Sequence, residues 1–148
     1  MTPPRATGEG PPRRYDTKIA VIVRDDLADW QKLHVTARLS SGIAHATDQV
    51  VGGTYEDASG NTYLPMFRGP VLVYTGYSPA LTRAHTRALA RGLTTALCTE
   101  ELFTTDNEDD HRAAVRAVAA EDLRLVGLAV YGPRSAVVKV TKGLKLHG

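Results

Sequence analysis

The stretch KIAVIV, residues 18–23, decides the fold class of this chain. It is short, apolar and rich in β-branched side chains, which is typical of a strand buried on both faces of an α/β sheet. Three charged residues end the strand, and Asp29 is placed to cap a helix that runs to about Ala46. The sequence therefore predicts a buried strand followed directly by a long helix.

The alternation of strand and helix continues along the chain. The polar segment DASGN, residues 57–61, lies between β-prone segments and predicts a hairpin. Further strands are predicted at 70–76, 94–99 and 123–132. Ser78 is predicted to cap a helix that runs to about Arg91, another helix is predicted at about 108–120, and Ser135 is predicted to cap a last helix that ends at Gly143. We therefore expect an α/β three-layer sandwich with a mainly parallel mixed sheet of about four strands plus the hairpin. Because such sheets bind ligands at the carboxyl ends of their strands, the loops after Val23, Thr99 and Tyr131 are where a site is expected.

Length and composition indicate one domain. The 148 residues are 43% hydrophobic and 23% charged, which is enough for one core and too short for two comfortable domains. Residues 1–17 are rich in proline and arginine and predict a disordered tail, so the domain is expected at 18–148. No apolar run is long enough for a membrane span or a secretory signal, which makes the cytoplasm the expected location.

The charged residues are unevenly distributed. Residues 1–18 carry four cations against two acids, which accounts for the whole formal net charge of +2 and leaves the rest neutral. The last segment has four cations without an acid, Arg134, Lys139, Lys142 and Lys145, whereas residues 100–110 have six acids without a base. The four cations predict either a phosphate-binding surface, as for tRNA, or the solvated side of a terminal helix. Arg83, Arg87 and Arg91 form a further stripe on one helix, with the same two interpretations.

Metal and thiol chemistry are not indicated. Cys98 is the single cysteine, so neither an internal disulfide nor a multi-cysteine zinc site is possible, and a small core residue is favoured over a nucleophile. The five histidines are scattered, and no metal, phosphate-loop or nucleophile-elbow motif is present. We therefore expect no metal and no cofactor.

The predicted loops offer the residues of a simple hydrolase. Lys32 and His34 follow the first strand, and Glu100 and Thr104 follow the strand that ends at Thr99. A carboxylate beside a lysine or histidine can orient water and stabilise an oxyanion, which suits the hydrolysis of an activated ester. Surface loops carry such residues without any catalytic role, so the spacing alone leaves both interpretations open.

Four separated motifs, in order, carry a resemblance to a known family. These are WQKLHVTARLSSGI, YEDASGNTYLP, LFTT and GPRSAVVKVTKGLKLH, which span about Lys18 to His147. They resemble the family known as domain of unknown function 2000, which in turn resembles type II peptidyl-tRNA hydrolase. That relation implies an α/β enzyme that hydrolyses the ester linking a peptide to tRNA.

The resemblance implies roles for individual positions. Lys32 takes the place of the hydrolase's catalytic lysine and His34 that of a second lysine, while Glu100 and Thr104 take those of its catalytic aspartate and threonine. The sequence departs from the hydrolase at Leu102, Phe103 and Val138, where the hydrolase has glycine, arginine and aspartate. The phenylalanine at position 103 removes a cation from the expected path of the phosphates, as does the histidine at position 34.

Two functions are therefore predicted side by side. The first is an ester hydrolase or acyl transferase acting on aminoacyl- or peptidyl-tRNA or a related small ester, with Glu100 as base, Lys32 or His34 at the oxyanion and Thr104 holding water. The second is a non-catalytic binding or assembly module on the same fold, possible as a homodimer, in which Lys32 and Glu100 form a structural ion pair.

Overall fold

The computed structural model of the protein describes residues 16–148. Its strands are β1 (Thr17–Arg24), β2 (Tyr55–Glu56), β3 (Thr62–Tyr63), β4 (Val71–Gly76), β5 (Thr94–Thr99), β6 (Leu125–Pro133) and β7 (Lys145–Leu146). Its α-helices are α1 (Asp29–Ala46), α2 (Ser78–Ala90), α3 (Glu108–Arg116) and α4 (Arg134–Val140). The predicted α/β class and the predicted 55–63 hairpin are confirmed. The predicted tail lies outside the described residues for its first fifteen positions, and Thr17 already belongs to β1.

The main sheet has five strands in the order β5-β6-β1-β4-β7. Only β1 and β4 are parallel neighbours, whereas the other three pairs in this sheet are antiparallel. The predicted mixed sheet is confirmed, whereas the expectation that it is mainly parallel and has about four strands was wrong. Between two parallel strands, the connecting segment must carry the chain back over the full length of a strand before the next strand can begin. The nine-residue α3 spans only about 14 Å at ~1.5 Å per residue, and the chain after it returns as the antiparallel strand β6.

This topology separates loops that the prediction had grouped together. The strands β1, β4 and β5 run in one direction and end at the same edge of the sheet, whereas β6 runs in the opposite direction. Thr17 pairs with Pro133, and the Arg134 N–H donates to the Asp16 carbonyl at 2.9 Å. The loop after Tyr131 therefore lies at the edge where β1 begins, away from the ends of β1 and β5.

Helix α1 packs on one face of the sheet over β1, β5 and β6. Its buried side is formed by Val35, Leu39 and Ile43. A Cβ at Gly127 of β6 would lie 2.3 Å from Val35 Cγ1, so the helix approaches the sheet this closely because that residue is glycine. At the start of α1 the Ala28 N–H donates to the Gln31 side chain at 3.0 Å, which replaces the cap predicted for Asp29.

Helices α2 and α4 pack on the opposite face and against each other. Their apolar residues Leu81, Ala88, Val137 and Val140 join a second core cluster with Leu128. The helix α2 starts one residue earlier than predicted, with Tyr77 rather than Ser78 at the cap position, and α3 ends at Arg116 instead of position 120. The chain then continues from α4 through a turn into the unpredicted strand β7, which extends the sheet beyond β4.

The β2–β3 hairpin is held together by one carboxylate. Asp57 accepts hydrogen bonds from the backbone N–H groups of Ser59 and Asn61, from the Asn61 amide and, at 2.6 Å, from the Tyr63 hydroxyl. These bonds, with that from Tyr63 first, lower the pKa of Asp57 to about 2. Gly60 supplies the positive φ of 87° that the turn requires. The hairpin is therefore ordered by hydrogen bonds among its own residues.

Candidate functional site

Lys32 lies in the first turns of α1, on the side of the helix that faces β4. Its Nζ is 3.2 Å from His147 Nε2. The Thr36 hydroxyl, one turn further along α1, donates to the Lys32 carbonyl at 2.8 Å, and Lys32, Thr36 and His147 line the same cavity. The structure therefore brings one predicted catalytic residue together with a histidine that sequence reasoning had left unassigned.

The backbone of His147 is held in place by a hydrogen bond to strand β4. Its backbone N–H donates to the Val73 carbonyl at 2.8 Å, which prolongs the pairing of β7 with β4. Its Nδ1 lies 2.8 Å from the Gly148 carbonyl, which can only accept, so Nδ1 carries the proton. In the neutral ring Nε2 is then the acceptor, and it receives a hydrogen bond from the Lys32 ammonium.

Lys145 lies two residues before His147, in the edge strand β7. It pairs with Thr75 of β4, and Leu146 pairs with Tyr74. Because side chains alternate between the two faces of a strand, Lys145 shares a sheet face with His147 and with Thr75, the face that α1 covers. One cation predicted to bind phosphate thus lies on the same face and at the same edge as Lys32.

An apolar groove, which we call the α1–β4 groove, runs from this polar end along α1. Two adjoining cavities of about 540 and 530 Å³ share Thr36 and Val73. The first is lined mainly by Val23, Asp29, Lys32, Leu33 and His147, and the second by Ala37, Ala44, Val51, Met66, Phe67 and Val71. The exposed fractions of Leu33 and Met66 are 72% and 60%, so apolar surface faces water along the rim. The groove is thus apolar along its length and polar at one end.

Thr75 presents an unsatisfied polar group beside this end. Its Oγ1 is buried and has no hydrogen-bond partner within residues 16–148. Buried hydroxyls in proteins are nearly always hydrogen-bonded, so this oxygen has unused capacity to bind water or a ligand.

The other predicted catalytic residues lie on the opposite side of α1. His34 is two positions from Lys32, and residues at that spacing do not share a helix face. It lines a separate cavity of about 190 Å³ with Arg38, Glu108 and His111. The described cavities therefore place Lys32 and His34 in different clefts.

Glu100 and Thr104 both contact neighbouring residues; Glu100 begins the 3₁₀ helix Glu100–Phe103 that follows β5, and Thr104 comes directly after it. Glu100 Oε2 is 2.6 Å from Arg24 Nη1, and Glu100 Oε1 is 3.8 Å from Arg124 Nη1. Thr104 is exposed, and its hydroxyl donates to the Glu101 carbonyl at 3.4 Å. Glu100 thus forms ion pairs with arginines rather than the predicted pair with Lys32. The catalytic roles of these residues remain predictions.

Three polar residues behind this cleft, the buried Thr99 and His111 and the half-buried Glu101, form a hydrogen-bonded relay. His111 Nε2 is 3.2 Å from the hydroxyl of Thr99, which is fully buried. The hydrogen bond from Thr99 is the main cause that lowers the pKa of Glu101. Burial and the positive charge of Arg38 lower the pKa of His111, against smaller opposing effects of Glu101 and Glu108. No sequence pattern indicated this relay, because its members are brought together only by the packing of α3 on the end of β5.

Comparisons with known proteins identify the family of this chain. A family model described as "Protein of unknown function (DUF2000)" matches residues 17–148. The chain belongs to this family. A solved structure of a protein of unknown function from Agrobacterium tumefaciens strain C58 is similar to it, with 44% identity and a TM-score of 0.87 over 91% of this chain and all of that one. No curated protein matches the chain.

The predicted membership of the DUF2000 family is thus confirmed, and the relation of that family to type II peptidyl-tRNA hydrolase remains a prediction. Cys98 of this DUF2000 protein is buried in the core under α1, and burial raises the pKa of its thiol to about 11. A neutral buried thiol fits the predicted core role of Cys98.

The predicted phosphate-binding residues do not form one surface. Arg134 lies at the opposite edge and lines a small cavity with Lys18 and Arg68. Lys139 and Lys142 of this DUF2000 protein are instead exposed on the face of the sheet that α2 and α4 cover. There Arg87 of α2 donates to the Lys142 carbonyl at 3.0 Å. The arginine stripe of α2 therefore adjoins these two lysines, a juxtaposition that the sequence did not predict.

Two kinds of feature are absent from the described part of the chain. Within residues 16–148, no group of three or more His, Cys, Asp or Glu residues could hold a metal ion. Within the same range, no helix is both long and apolar enough to cross a membrane.

Proposed function

We propose that this DUF2000 protein binds an ester with its acyl group in the α1–β4 groove and hydrolyses it at the polar end of the groove. The observation that carries the proposal is the 3.2 Å contact between Lys32 Nζ and His147 Nε2 at the end of an apolar cavity. An ammonium and a neutral imidazole acceptor at this distance combine an oxyanion stabiliser with a base.

The chemistry requires only water and the ester. When the ester binds, the Lys32 ammonium turns from His147 Nε2 to the ester carbonyl oxygen, where it stabilises the oxyanion. His147 Nε2, whose one lone pair is then free, takes a proton from water as the water oxygen attacks the ester carbonyl carbon. When the carbon–oxygen bond to the leaving group breaks, the imidazolium returns the proton to the departing alkoxide. The carboxylic acid then leaves the groove.

Transfer RNA remains the proposed leaving group of one such ester. Arg83, Arg87 and Arg91 on α2 and Lys139 and Lys142 beyond them supply five cations, and neither residues 58–99 nor residues 123–148 contain a carboxylate side chain. This layer offers the phosphates an all-cationic surface, while Lys145 lies nearer the ester site.

Variants of the polar end test the hydrolase. Hydrolysis of N-blocked aminoacyl-tRNA and of p-nitrophenyl esters is measured for the native protein, Lys32→Ala and His147→Gln. We expect kcat/KM to fall at least about 100-fold in both variants, as is usual when a general base or oxyanion donor is removed. Lys139→Ala on the face of α2 and α4 is the matched control with the p-nitrophenyl esters alone, because Lys139 belongs to the proposed tRNA surface. His45→Gln, at an exposed position near the end of α1, is the control with both substrates.

Absence of turnover by the native protein would overturn the hydrolase. Loss of activity in Glu100→Gln with full activity in His147→Gln would instead return the role of base to the residue predicted from the sequence.

A non-catalytic binding or assembly module is the second candidate. It is favoured by the ion pairs of Glu100 with Arg24 and Arg124, which give the predicted base a structural role. A homodimer is the predicted assembly for such a module. Sedimentation over a range of protein concentrations tests it: a dimer in a protein without esterase activity supports the module, and a monomer that turns over esters excludes it.

A further inference from the structure

The shape of the α1–β4 groove carries information about the acyl group. Its floor is the β4 face with Val71 and Val73, one wall is α1, and the other is the segment containing Met66 and Phe67. Lining residues extend along α1 from Lys32 to Ala44. The twelve helical rises between Lys32 and Ala44 span about 18 Å at ~1.5 Å each, so the groove is elongated.

The groove offers little to a peptide. Thr36 and Ser41 on the α1 wall already donate their hydroxyls to the Lys32 and Arg38 carbonyls. The floor is the face of β4 rather than an edge, and β7 pairs with the edge of β4 at Tyr74 and Thr75. The Val73 carbonyl at that edge accepts from the His147 N–H. The backbone groups of a peptide laid on these side chains would lose water without gaining partners, which is costly. A hydrocarbon chain has no such requirement and gains free energy from burial.

The polar end suits a carboxylate or ester head group. Lys32 and His147 line it, and Lys145 lies on the same sheet face, whereas Asp29 is the one carboxylate side chain among its described lining residues. The Lys32 ammonium and the His147 imidazole thus line this end together with one carboxylate side chain, and Lys145 lies on the same sheet face outside the lining. The side chains along the rest of the groove are uncharged.

We propose that the α1–β4 groove holds a long, unbranched aliphatic chain, as a fatty acid or fatty acyl ester, with the carboxyl group at Lys32. This inference rests on the proposed function only in placing the acyl group in the same groove. The free acid and the ester share the same binding chemistry, and they are distinguished below.

Binding of matched lipids to the full chain tests the inference. Octanoate, dodecanoate and hexadecanoate, with the methyl ester and the alcohol of the dodecyl chain, displace a fluorescent fatty acid below their micelle concentrations. We expect affinity to rise with length by up to about fourfold per buried methylene until the groove is filled. Tighter binding of dodecanoate than of its methyl ester identifies the free acid, and the reverse identifies the ester.

Two variants test where the aliphatic chain of the ligand lies in the groove. Ala44→Trp fills the end of the groove far from Lys32, and we expect it to weaken hexadecanoate binding at least about tenfold while leaving octanoate unchanged. Lys32→Gln is expected to weaken dodecanoate but not the alcohol. Ala90→Trp, at an exposed position on α2, is the control for the added indole. Circular dichroism checks that each variant is folded.

The outcomes separate this inference from the proposed function. Turnover of short esters without any preference for chain length overturns the inference and leaves the hydrolase intact. Length-dependent binding without ester turnover overturns the hydrolase and leaves the inference intact. Binding that responds to neither Ala44→Trp nor Lys32→Gln shows nonspecific partition and also overturns the inference.

Discussion

The two faces of the sheet are covered differently, and the difference explains where a ligand has room. Five strands at ~4.8 Å spacing are about 24 Å wide, whereas one helix covers about 10 Å. On one face α2 and α4 pack side by side and bury a shared core cluster with the sheet. On the other face α1 packs over β5, β6 and β1, and the strip above β4 is bordered by the segment around Met66 instead of a helix. The face with one long helix therefore contains the apolar groove.

The two faces also differ in charge. The layer of α2 and α4 presents arginines and lysines without acids, whereas α1 and α3 on the other face carry four carboxylates, Asp29, Glu108, Asp109 and Asp110. A neutral domain body thus has one cationic face and one face with an apolar groove whose lining residues include a single acidic side chain, Asp29. Phosphates bind to cationic surfaces, whereas an aliphatic chain binds to an apolar one. In this protein the two kinds of surface lie on opposite faces of the sheet.

The largest expected effect comes from a substitution in the close contact between α1 and β6. Gly127→Ala places a Cβ against Val35 and Leu39, at 2.3 and 3.0 Å in the present packing. We expect the unfolding free energy to fall by about 1–3 kcal/mol, as is usual for overpacking, because neither the helix nor the strand has room to move. Urea unfolding measures this change.

Gly53→Ala is the matched control for that experiment. A Cβ at Gly53 meets no atom within 4 Å, so its stability should stay within about 0.5 kcal/mol of the native value. Equal stability of Gly127→Ala and the native protein would show that α1 is not held by close contact with β6.

The cationic layer should respond to salt. Replacing Arg83, Arg87 and Arg91 together by glutamine should weaken binding of single-stranded RNA and flatten the dependence of log K on log salt by about 0.7 for each phosphate that the variant no longer neutralises. Filter binding at several salt concentrations gives the slope. Arg112→Gln with Arg116→Gln, on the acidic side of the molecule, is the control pair, and an equal effect of both sets would indicate only a change in net charge.

The relay under α3 should give the protein a pH-dependent stability. The pKa of His111 is lowered by burial and by Arg38, so the folded state binds its proton less readily than the unfolded state. The stability from His111 is therefore fully present above the unfolded pKa of 6.5 and is lost as pH falls through the lower folded pKa. His111→Gln should flatten the pH profile of the unfolding free energy below pH 6.5.

His34→Gln, in the same cleft but exposed, should leave that profile unchanged. Burial also lowers the pKa of His85, so the unfolding free energy should still depend on pH in both variants. An unchanged profile in His111→Gln would assign the pH dependence to other groups.

The smallest effect is expected in the hairpin next to the groove. Its Asp57 carboxylate has a pKa of about 2 instead of 3.8, so its contribution is present above 3.8 and is lost as pH falls through 2. Asp57→Asn should speed hydrogen exchange at the amides of Ser59 and Asn61 with little change in the global unfolding midpoint. Asn107→Ala, which removes a comparable side-chain cap at α3, tests whether the change is specific to the hairpin.

Local pattern predicted most elements because each depends on nearby residues. The β-branched run at 18–23, the strand 94–99 and the helix that ends near Ala46 were confirmed within one or two residues. The short α3 was predicted too long, because the apolar residues that follow Arg116 continue its periodicity without a sheet to pack on.

The candidate site was only partly predictable. Lys32 was predicted and lies at the polar end of the groove, whereas His147 was overlooked although it belongs to the final motif of the family resemblance. The alternation of Lys145, Leu146 and His147 was the available signal for a short strand with two polar residues on one face.

The sequence by itself determined the elements, the family and the uneven distribution of charge, because these depend on residue type and short-range order along the chain. Only the tertiary structure decided which loops meet. One antiparallel strand, β6, moved Arg134 to the far edge, and the helical rotation of about 200° between residues 32 and 34 placed Lys32 and His34 on opposite sides of α1. Strand direction and helix rotation relative to the sheet depend on long-range packing, which residue spacing does not specify.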